Sequence, residues 1–227
     1  MDVVYLCRPG RNEELRYSLR SLANLPHDNV WVVGGRPSWY VGRFERVPPK
    51  PNKYEHGRAN LGRIVRNEKI SDPFILFNDD FYVVRRVDEV PVLHNGPMRD
   101  LFRRFQEYAP GSKYTEMLGR TISVLGAQGV REPLAYNLHV PMVMSKAHLR
   151  TALSFDGSPR SLVGNLFGYG GDFAGDVKVH RELPGSLPSY DWRSGSSPFL
   201  STDDHTFGVV RVGLLADLFP ERSEWEM

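Results

Sequence analysis

Apolar positions follow two rhythms along this chain. Val3-Val4-Tyr5-Leu6-Cys7 is an unbroken apolar run stopped by Arg8-Pro9-Gly10, the pattern of a strand buried on both faces. Asn12 then stands where a helix N-cap belongs, with Glu13 and Glu14 in the first turn, where negative charge meets the positive end of the helix dipole. Leu15, Leu19 and Leu22 recur at helical spacing, and Pro26 ends the helix. A second apolar run at residues 30–33 closes on Gly34-Gly35. This strand–helix–strand order predicts a parallel pair joined by a right-handed crossover.

Residues 36–60 are rich in Pro, Gly, Arg and aromatics and keep no period, which predicts a long loop region of the kind that often carries function. Asn60 then starts a short helix through Leu61, Ile64 and Val65. Phe74-Ile75-Leu76-Phe77 predicts a third buried strand, running straight into Asn78-Asp79-Asp80. Asn95-Gly96-Pro97 opens a helix with Met98, Leu101, Phe102 and Phe105 on one face, and Ser145 caps another through Leu149 and Leu153. Residues 156–200 are Gly-, Ser- and Pro-rich and predict short strands within long loops. Leu214, Leu215, Leu218 and Phe219 form a last helix stopped by Pro220. With no internal repeat and no linker, the expectation is one α/β domain over residues 1–227. Its core is a mixed, mostly parallel central sheet flanked by helices.

Composition adds few constraints. The 227 residues are 41% hydrophobic and 25% charged with a net charge of +2, ordinary for a globular protein and no call for nucleic acid by itself. Arginine outnumbers lysine by 23 to 6; its rigid fork suits phosphate, though GC-rich coding gives the same skew. Cys7 is the only cysteine, which excludes an internal disulfide and a thiolate zinc cage and favours a reducing compartment. Within its apolar run it reads as a buried strand residue. No stretch approaches the ~20 apolar residues that cross a bilayer, and the start lacks the basic, extended form of a signal peptide. A soluble, cytoplasmic protein without a membrane span is expected.

Asp79 and Asp80 are the strongest chemical signal. Two adjacent carboxylates at the end of a buried strand repel each other, and a hard divalent cation, Mg²⁺ or Mn²⁺, relieves that repulsion while taking its other ligands from water and substrate phosphate. A solvated Asn-Asp-Asp turn is the plainer reading. Ligands of open α/β sheets bind outside the carboxyl ends of the strands, where these residues fall. Arg16 and Arg20, and Arg58, Arg63 and Arg66, are candidates to grip phosphate. The Gly34-Gly35 turn allows close backbone approach to a ligand, and the loop aromatics Trp39 and Tyr40 can stack on a sugar or base or close the core.

The blocks Asn12-Glu13-Glu14-Leu15-Arg16-Tyr17-Ser18-Leu19-Arg20-Ser21-Leu22, Val30-Trp31-Val32-Val33 through Pro37-Ser38-Trp39, Phe77-Asn78-Asp79-Asp80, His139-Val140-Pro141 and Ser201-Thr202-Asp203-Asp204 follow one another along the chain. Together they resemble the Stealth family of sugar-1-phosphate transferases, the first block being similar to its opening signature and the second to its second strand and turn. Phe77-Asn78-Asp79-Asp80 resembles its "NDD" block. His139-Val140-Pro141 with Ser145-Lys146 resembles its "HVP" segment, and Ser201-Thr202-Asp203-Asp204 followed by Leu214 to Phe219-Pro220 its closing block. The chain departs from the family at Val4-Tyr5-Leu6-Cys7-Arg8-Pro9-Gly10-Arg11, where an acidic residue is missing and Arg8 and Arg11 stand.

The resemblance implies a nucleotide-sugar-binding fold of the glycosyltransferase A type, with residues 1–90 as the nucleotide-sugar half and 91–227 as the acceptor half. It implies a Mg²⁺ or Mn²⁺ ion on Asp79, Asp80 and Asp203, with Asp204 and His205 as weaker candidates. It also implies a nucleotide-sugar donor, a UDP-sugar first, and His139 as the general base beside catalytic Asp80. Arg16, Gly34, Gly35, Trp39 and Arg63 would sit on the donor side. The expected reaction moves a sugar-1-phosphate to an acceptor hydroxyl. Transfer of the sugar alone, to a glycan, protein or modified nucleic acid, needs the same groups and stays open. So does a non-catalytic nucleic-acid-binding module; otherwise nucleic acid enters only as acceptor.

Overall fold

A computed structural model of the chain describes residues 1–182 and 188–227. The central sheet has the order β3-β2-β1-β4-β7. It is built from β1 (Asp2–Cys7), β2 (Val30–Gly34), β3 (Arg43–Arg46), β4 (Phe74–Asn78) and β7 (Met142–Met144). The first four run parallel, and β7 pairs antiparallel to β4. Helix α1 (Glu13–Ser21) carries the chain from β1 to β2, and α2 (Lys53–Arg66) carries it from β3 across to β4. Strand order therefore reverses at β1, leaving a crevice between the carboxyl ends of β1 and β4.

Period-two alternation sends successive strand residues to opposite faces. On one face Val4, Trp31, Val33, Phe74 and Leu76 pack with Leu61 and Ile64 of α2. The same cluster takes Leu118 and Leu125 of α4 (Lys113–Ala127), Leu149 of α5 (Lys146–Ala152) and Leu162 of α6 (Pro159–Leu166). On the other, Val3, Tyr5, Val32, Ile75 and Phe77 meet Leu15, Leu19 and Leu22, the stripe anticipated for α1. Each such buried side chain contributes roughly 1.5–3 kcal/mol. Burial on both faces is why β1, β2 and β4 read as continuous apolar runs.

A second, three-stranded sheet matters for the site. Strand β5 (Phe81–Val83) follows directly on Asp80 and pairs antiparallel with β10 (Phe199–Thr202), which pairs parallel with β9 (Lys178–Val179). Ser201 faces both Phe81 and Lys178 in register. Ser18 of α1 donates to the carbonyl of Phe81, and its Oγ lies 3.0 Å from the Tyr5 hydroxyl, tying this sheet to the central one.

Several expectations need correction. The loop assigned to residues 36–60 contains edge strand β3, and α2 starts at Lys53 rather than Asn60. Its true cap is Asn52, whose side chain accepts from the amides of Tyr54 and Glu55 at 3.1 Å. Helix α4 was not anticipated, because Gly119, Thr121 and Gly126 dilute its apolar stripe. Residues 156–200 hold α6, with proline at its first turn, besides short strands such as β8 (Asp172–Phe173). Residues 183–187 of that stretch lie outside the described residues. The helices opened by Asn95-Gly96-Pro97 and Ser145 form as α3 (Met98–Tyr108) and α5. The last helical segment begins at Phe207, and a wide turn at Arg211–Leu215 leads to its end at Leu218. Among the described residues no helix is long and apolar enough to cross a membrane.

Candidate active site

The crevice at the strand-order reversal opens into a cavity of about 880 Å³, within the usual range for ligand sites. Its floor is the junction of β1 and β4. The backbone amide of Arg8 donates to Asp79 at 3.1 Å, and Asn12 Nδ2 donates to the same carboxylate at 2.5 Å. Asn12 also caps α1, accepting from the amide of Leu15 at 3.2 Å from a left-handed backbone (φ 47°), a conformation asparagine tolerates. The cap of the helix and the placement of the acid are thus one interaction. Burial, then the neighbouring charge of Asp80, raises Asp79 well above the ordinary carboxylate range.

Asp80 accepts from Lys178 Nζ at 2.5 Å and from Ser201 Oγ at 3.3 Å. Arg8 bridges the buried Glu14 and the exposed Asp204, the latter at 2.6 Å. Glu14 is pushed up to about 7 by burial, which outweighs Arg8, and the charges of Asp80, Asp79 and Asp204 add to that. Thr202 Oγ1 lies 3.3 Å from Glu14 Oε1. Four carboxylates and two cations therefore meet where both sheets end. Cys7 lines the same floor but is buried, and burial together with Asp79 keeps it protonated.

His139 lines the same cavity. Its Nδ1 is 2.7 Å from Asp176 Oδ2, while its backbone amide donates to Asp176 Oδ1 at 3.1 Å. Burial alone would raise Asp176, yet the charge and hydrogen bonds of His139 hold it below the ordinary value. A carboxylate accepting from Nδ1–H fixes the tautomer and leaves Nε2 as the basic nitrogen. The imidazole also packs edge-on against Phe81, ring centroids 6.2 Å apart.

The remaining anticipated residues are distributed as follows. Asp203 lines the cavity, but its carboxylate is tied into its own turn. It accepts from the amides of His205 and Thr206 at 2.9 and 2.8 Å and from the Thr206 hydroxyl at 3.0 Å. These bonds outweigh burial and hold it low. Among the described residues no group of three or more His, Cys, Asp or Glu side chains is arranged to hold a metal ion.

Arg16 stands away from the cavity, ion-paired with Glu226 and Glu13 at 3.0 Å and stacked on Trp39. Trp39 is buried and donates to the Arg11 carbonyl at 2.8 Å, and Tyr40 is buried beside it. Arg63 pairs with Glu45. Gly34 and Gly35 are packed against protein rather than open to a ligand. A Cβ on Gly34 would lie 2.4 Å from the Cys7 carbonyl oxygen, and one on Gly35 2.6 Å from that of Arg8. These glycines let the ends of β1 and β2 approach each other; they do not line the cavity.

Sequence reasoning missed Glu14, Asp176, Lys178 and Arg160 as site residues. Glu14 was read as a helix-dipole acid, and nothing local in the sequence pairs Asp176 with His139 or Lys178 with Asp80.

No known protein-family model matches the sequence, and no curated protein matches it. Among solved structures, the crystal structure of mouse xyloside xylosyltransferase 1 in its apo form is similar at 11% identity, with 99% of this chain and 95% of that chain covered. The TM-score is 0.33, too low for that likeness to bear on the function of this chain.

Proposed function

We propose that this chain is a nucleotide-sugar-dependent transferase that moves a sugar-1-phosphate to an acceptor hydroxyl. The observation that carries the reading is the meeting of two chemistries in one cavity: a carboxylate-oriented imidazole, His139–Asp176, and a charged floor of Asp79, Asp80, Arg8 and Lys178 at the carboxyl end of a parallel sheet. The first suits removal of a hydroxyl proton, the second suits a diphosphate. The resemblance of the Asn12–Leu22, Asn78–Asp80 and His139–Pro141 blocks to Stealth transferases supports the same choice, and with it a glycosyltransferase A-type arrangement. In this reading residues 1–90 hold the donor and residues 91–227 the acceptor.

A divalent cation fits this floor through two ligands. Asp79 and Asp80 are hard oxygen donors, and with Glu14 and Asp204 they place four carboxylates against the two cations Arg8 and Lys178. Mg²⁺ and Mn²⁺ need no more than one or two carboxylates when substrate phosphate and water complete the shell. Asp203 serves its turn instead. When bound, the ion would supply charge neutralisation at the departing phosphate.

The chain's own residues do the rest. His139 Nε2 takes the acceptor's proton while Asp176 holds the ring, and the freed oxygen forms a bond to the phosphorus nearest the sugar. The phosphorus–oxygen bond to the nucleoside monophosphate breaks, and Arg8 and Lys178 hold the charge that develops there. Attack at the anomeric carbon, with a nucleoside diphosphate leaving, uses the same residues.

Incubation with a panel of nucleotide sugars in Mg²⁺ and Mn²⁺, followed by mass spectrometry, tests the proposal. Nucleoside monophosphate and a phosphodiester product support it, whereas nucleoside diphosphate and a glycosidic product turn it to plain sugar transfer. Salt-sensitive nucleic-acid binding with neither product would overturn the enzymatic reading.

A further inference from the structure

The cavity has a second set of polar groups that the proposed chemistry does not use. Among the described residues, the buried side-chain nitrogens and oxygens without a hydrogen-bond partner concentrate here. They are both ring nitrogens of His56, Nη1 of Arg58, Oδ1 of Asn60 and Nε of Arg160, all on residues lining the cavity. Asn137 Nδ2 is the remaining one, and the Oδ1 of that residue accepts from Ser158 of the same lining and from Ser161. Each partnerless buried donor costs about 1–3 kcal/mol, so so many in one place require a reason.

The two guanidinium groups are anchored yet unneutralised. Arg58 Nη2 donates to the carbonyls of Leu153 and Phe155 at 2.8 and 3.1 Å, and Arg160 Nη2 to that of Val140 at 2.6 Å. Neither has a carboxylate within the 4.0 Å of an ion pair among the described residues. Burial pulls Arg160 down to about 10, against the field of Asp176 and Tyr114. Part of each fork is already bound to backbone, and the buried position left without a partner is Nη1 in Arg58 and Nε in Arg160. N–H groups from two separate residues suit a tetrahedral oxyanion, whose oxygens point in several directions, better than a planar carboxylate gripped by one fork. The Asn60 oxygen can accept from a protonated phosphoryl oxygen.

We infer that Arg58, Arg160, His56 and Asn60 form a phosphoryl subsite separate from the floor at Asp79 and Asp80, and that it reads a phosphate carried by the acceptor. Its location favours the acceptor over the donor. Arg160 is bonded to the residue after His139, and its guanidinium lies 5.8 Å from the centre of the Phe81 ring that His139 also contacts. Of the four residues, Arg160 therefore adjoins the base. The word acceptor rests on the transferase reading; the subsite itself does not.

The test is calorimetric titration of inorganic phosphate at constant ionic strength, with and without saturating uridine diphosphate and Mg²⁺. One phosphate should bind per chain in both conditions, and acetate should not displace it. Arg160→Met should weaken phosphate at least tenfold while leaving uridine diphosphate binding within twofold. Should that variant fail to fold, His56→Gln, which keeps size and polarity, should weaken phosphate several-fold. Unchanged phosphate affinity in a folded variant, or no binding beyond that of chloride, overturns the subsite. Competition between phosphate and uridine diphosphate overturns its assignment to the acceptor. Phosphate binding without any nucleotide binding upholds the subsite and removes the transferase reading instead.

Discussion

Glu226→Gln probes the structure at the point where it departs most from the expected donor site. The Glu226 side chain is fully enclosed. It accepts from Arg20 Nε and Nη2 at 2.8 Å, from Arg16 Nη1 at 3.0 Å and from the amide and hydroxyl of Ser223 at 3.0 Å. Burial alone would raise its pKa, but these bonds bring it down to about 2 from 4.5. That difference corresponds to roughly 3 kcal/mol of native-state preference for the carboxylate, and removing one partner of an enclosed ion pair costs about 3–5 kcal/mol. Solvent reaching the partly exposed Arg16 and Arg20 side chains screens these pairs and lowers the expected loss to about 2–3 kcal/mol. For a chain of this size that is a fall in melting temperature of about 4–12 °C.

The sign with pH follows from the depressed value. The contribution is complete above pH 4.5 and disappears as pH falls through about 2, so the gap between wild type and variant should close across that interval. Scanning calorimetry from pH 7 to pH 2.5 measures both. Nucleotide-sugar affinity should stay within twofold, since Arg16 and Arg20 are bound to Glu226 and lie outside the cavity lining. A melting temperature within 2 °C of wild type at pH 7, joined to lost nucleotide binding, would refute this reasoning and return Arg16 to the donor.

Asp80→Asn should abolish the metal-dependent part of nucleotide-sugar binding, read by calorimetry with and without Mn²⁺, while the fold stays intact. A much lower melting point with metal-dependent binding retained makes the acidic pair structural. His139→Ala should lower turnover by roughly 10²–10⁴-fold with donor affinity unchanged; activity within a few-fold of wild type across pH 6–9 removes the base assignment. Asp176→Asn tests a positioning role. Loss of the carboxylate facing Nδ1 removes the group that orients the ring, so kcat should fall while the KM for the donor holds, and an unchanged kcat counts against the pair. Gly34→Ala places a Cβ 2.4 Å from the Cys7 carbonyl oxygen at φ +121°, and backbone strain with overpacking should cost about 2–4 kcal/mol in urea denaturation. A loss under 1 kcal/mol would show that the ends of β1 and β2 can move apart.

The sequence revealed what its neighbours in the chain determine. Strands β1, β2 and β4 were readable because burial on both faces leaves only apolar residues, and α1 because a cap and a leucine stripe coincide. Strand β3 was not, since an edge strand reading Arg43-Phe44-Glu45-Arg46 carries charge in place of alternation. Asp79 and Asp80 stood out because the apolar run before them stops so abruptly. Their partners did not: Lys178 is 98 residues from Asp80, and Asp176 is 37 from His139. Arg16 was read as a phosphate ligand for the same reason, since the enclosed one of its two carboxylates, Glu226, lies 210 residues away.

The missed start of α2 is the most instructive of these errors. Tyr54, His56 and Arg58 interrupt the apolar period of its first turns, and all three line the cavity, whereas Leu61, Ile64 and Val65 of the later turns face the core. A helix that gives half its length to a polar cavity cannot keep an apolar stripe throughout. Conflict between a local rule and the fold is expected at functional sites, and here it falls on the residues whose polar atoms lack partners. A good cap, Asn52, followed by two turns without an apolar face was therefore a signal in its own right. It marked a helix whose opening turns line a polar cavity, and the loop assigned there in its place hid both the helix and that cavity.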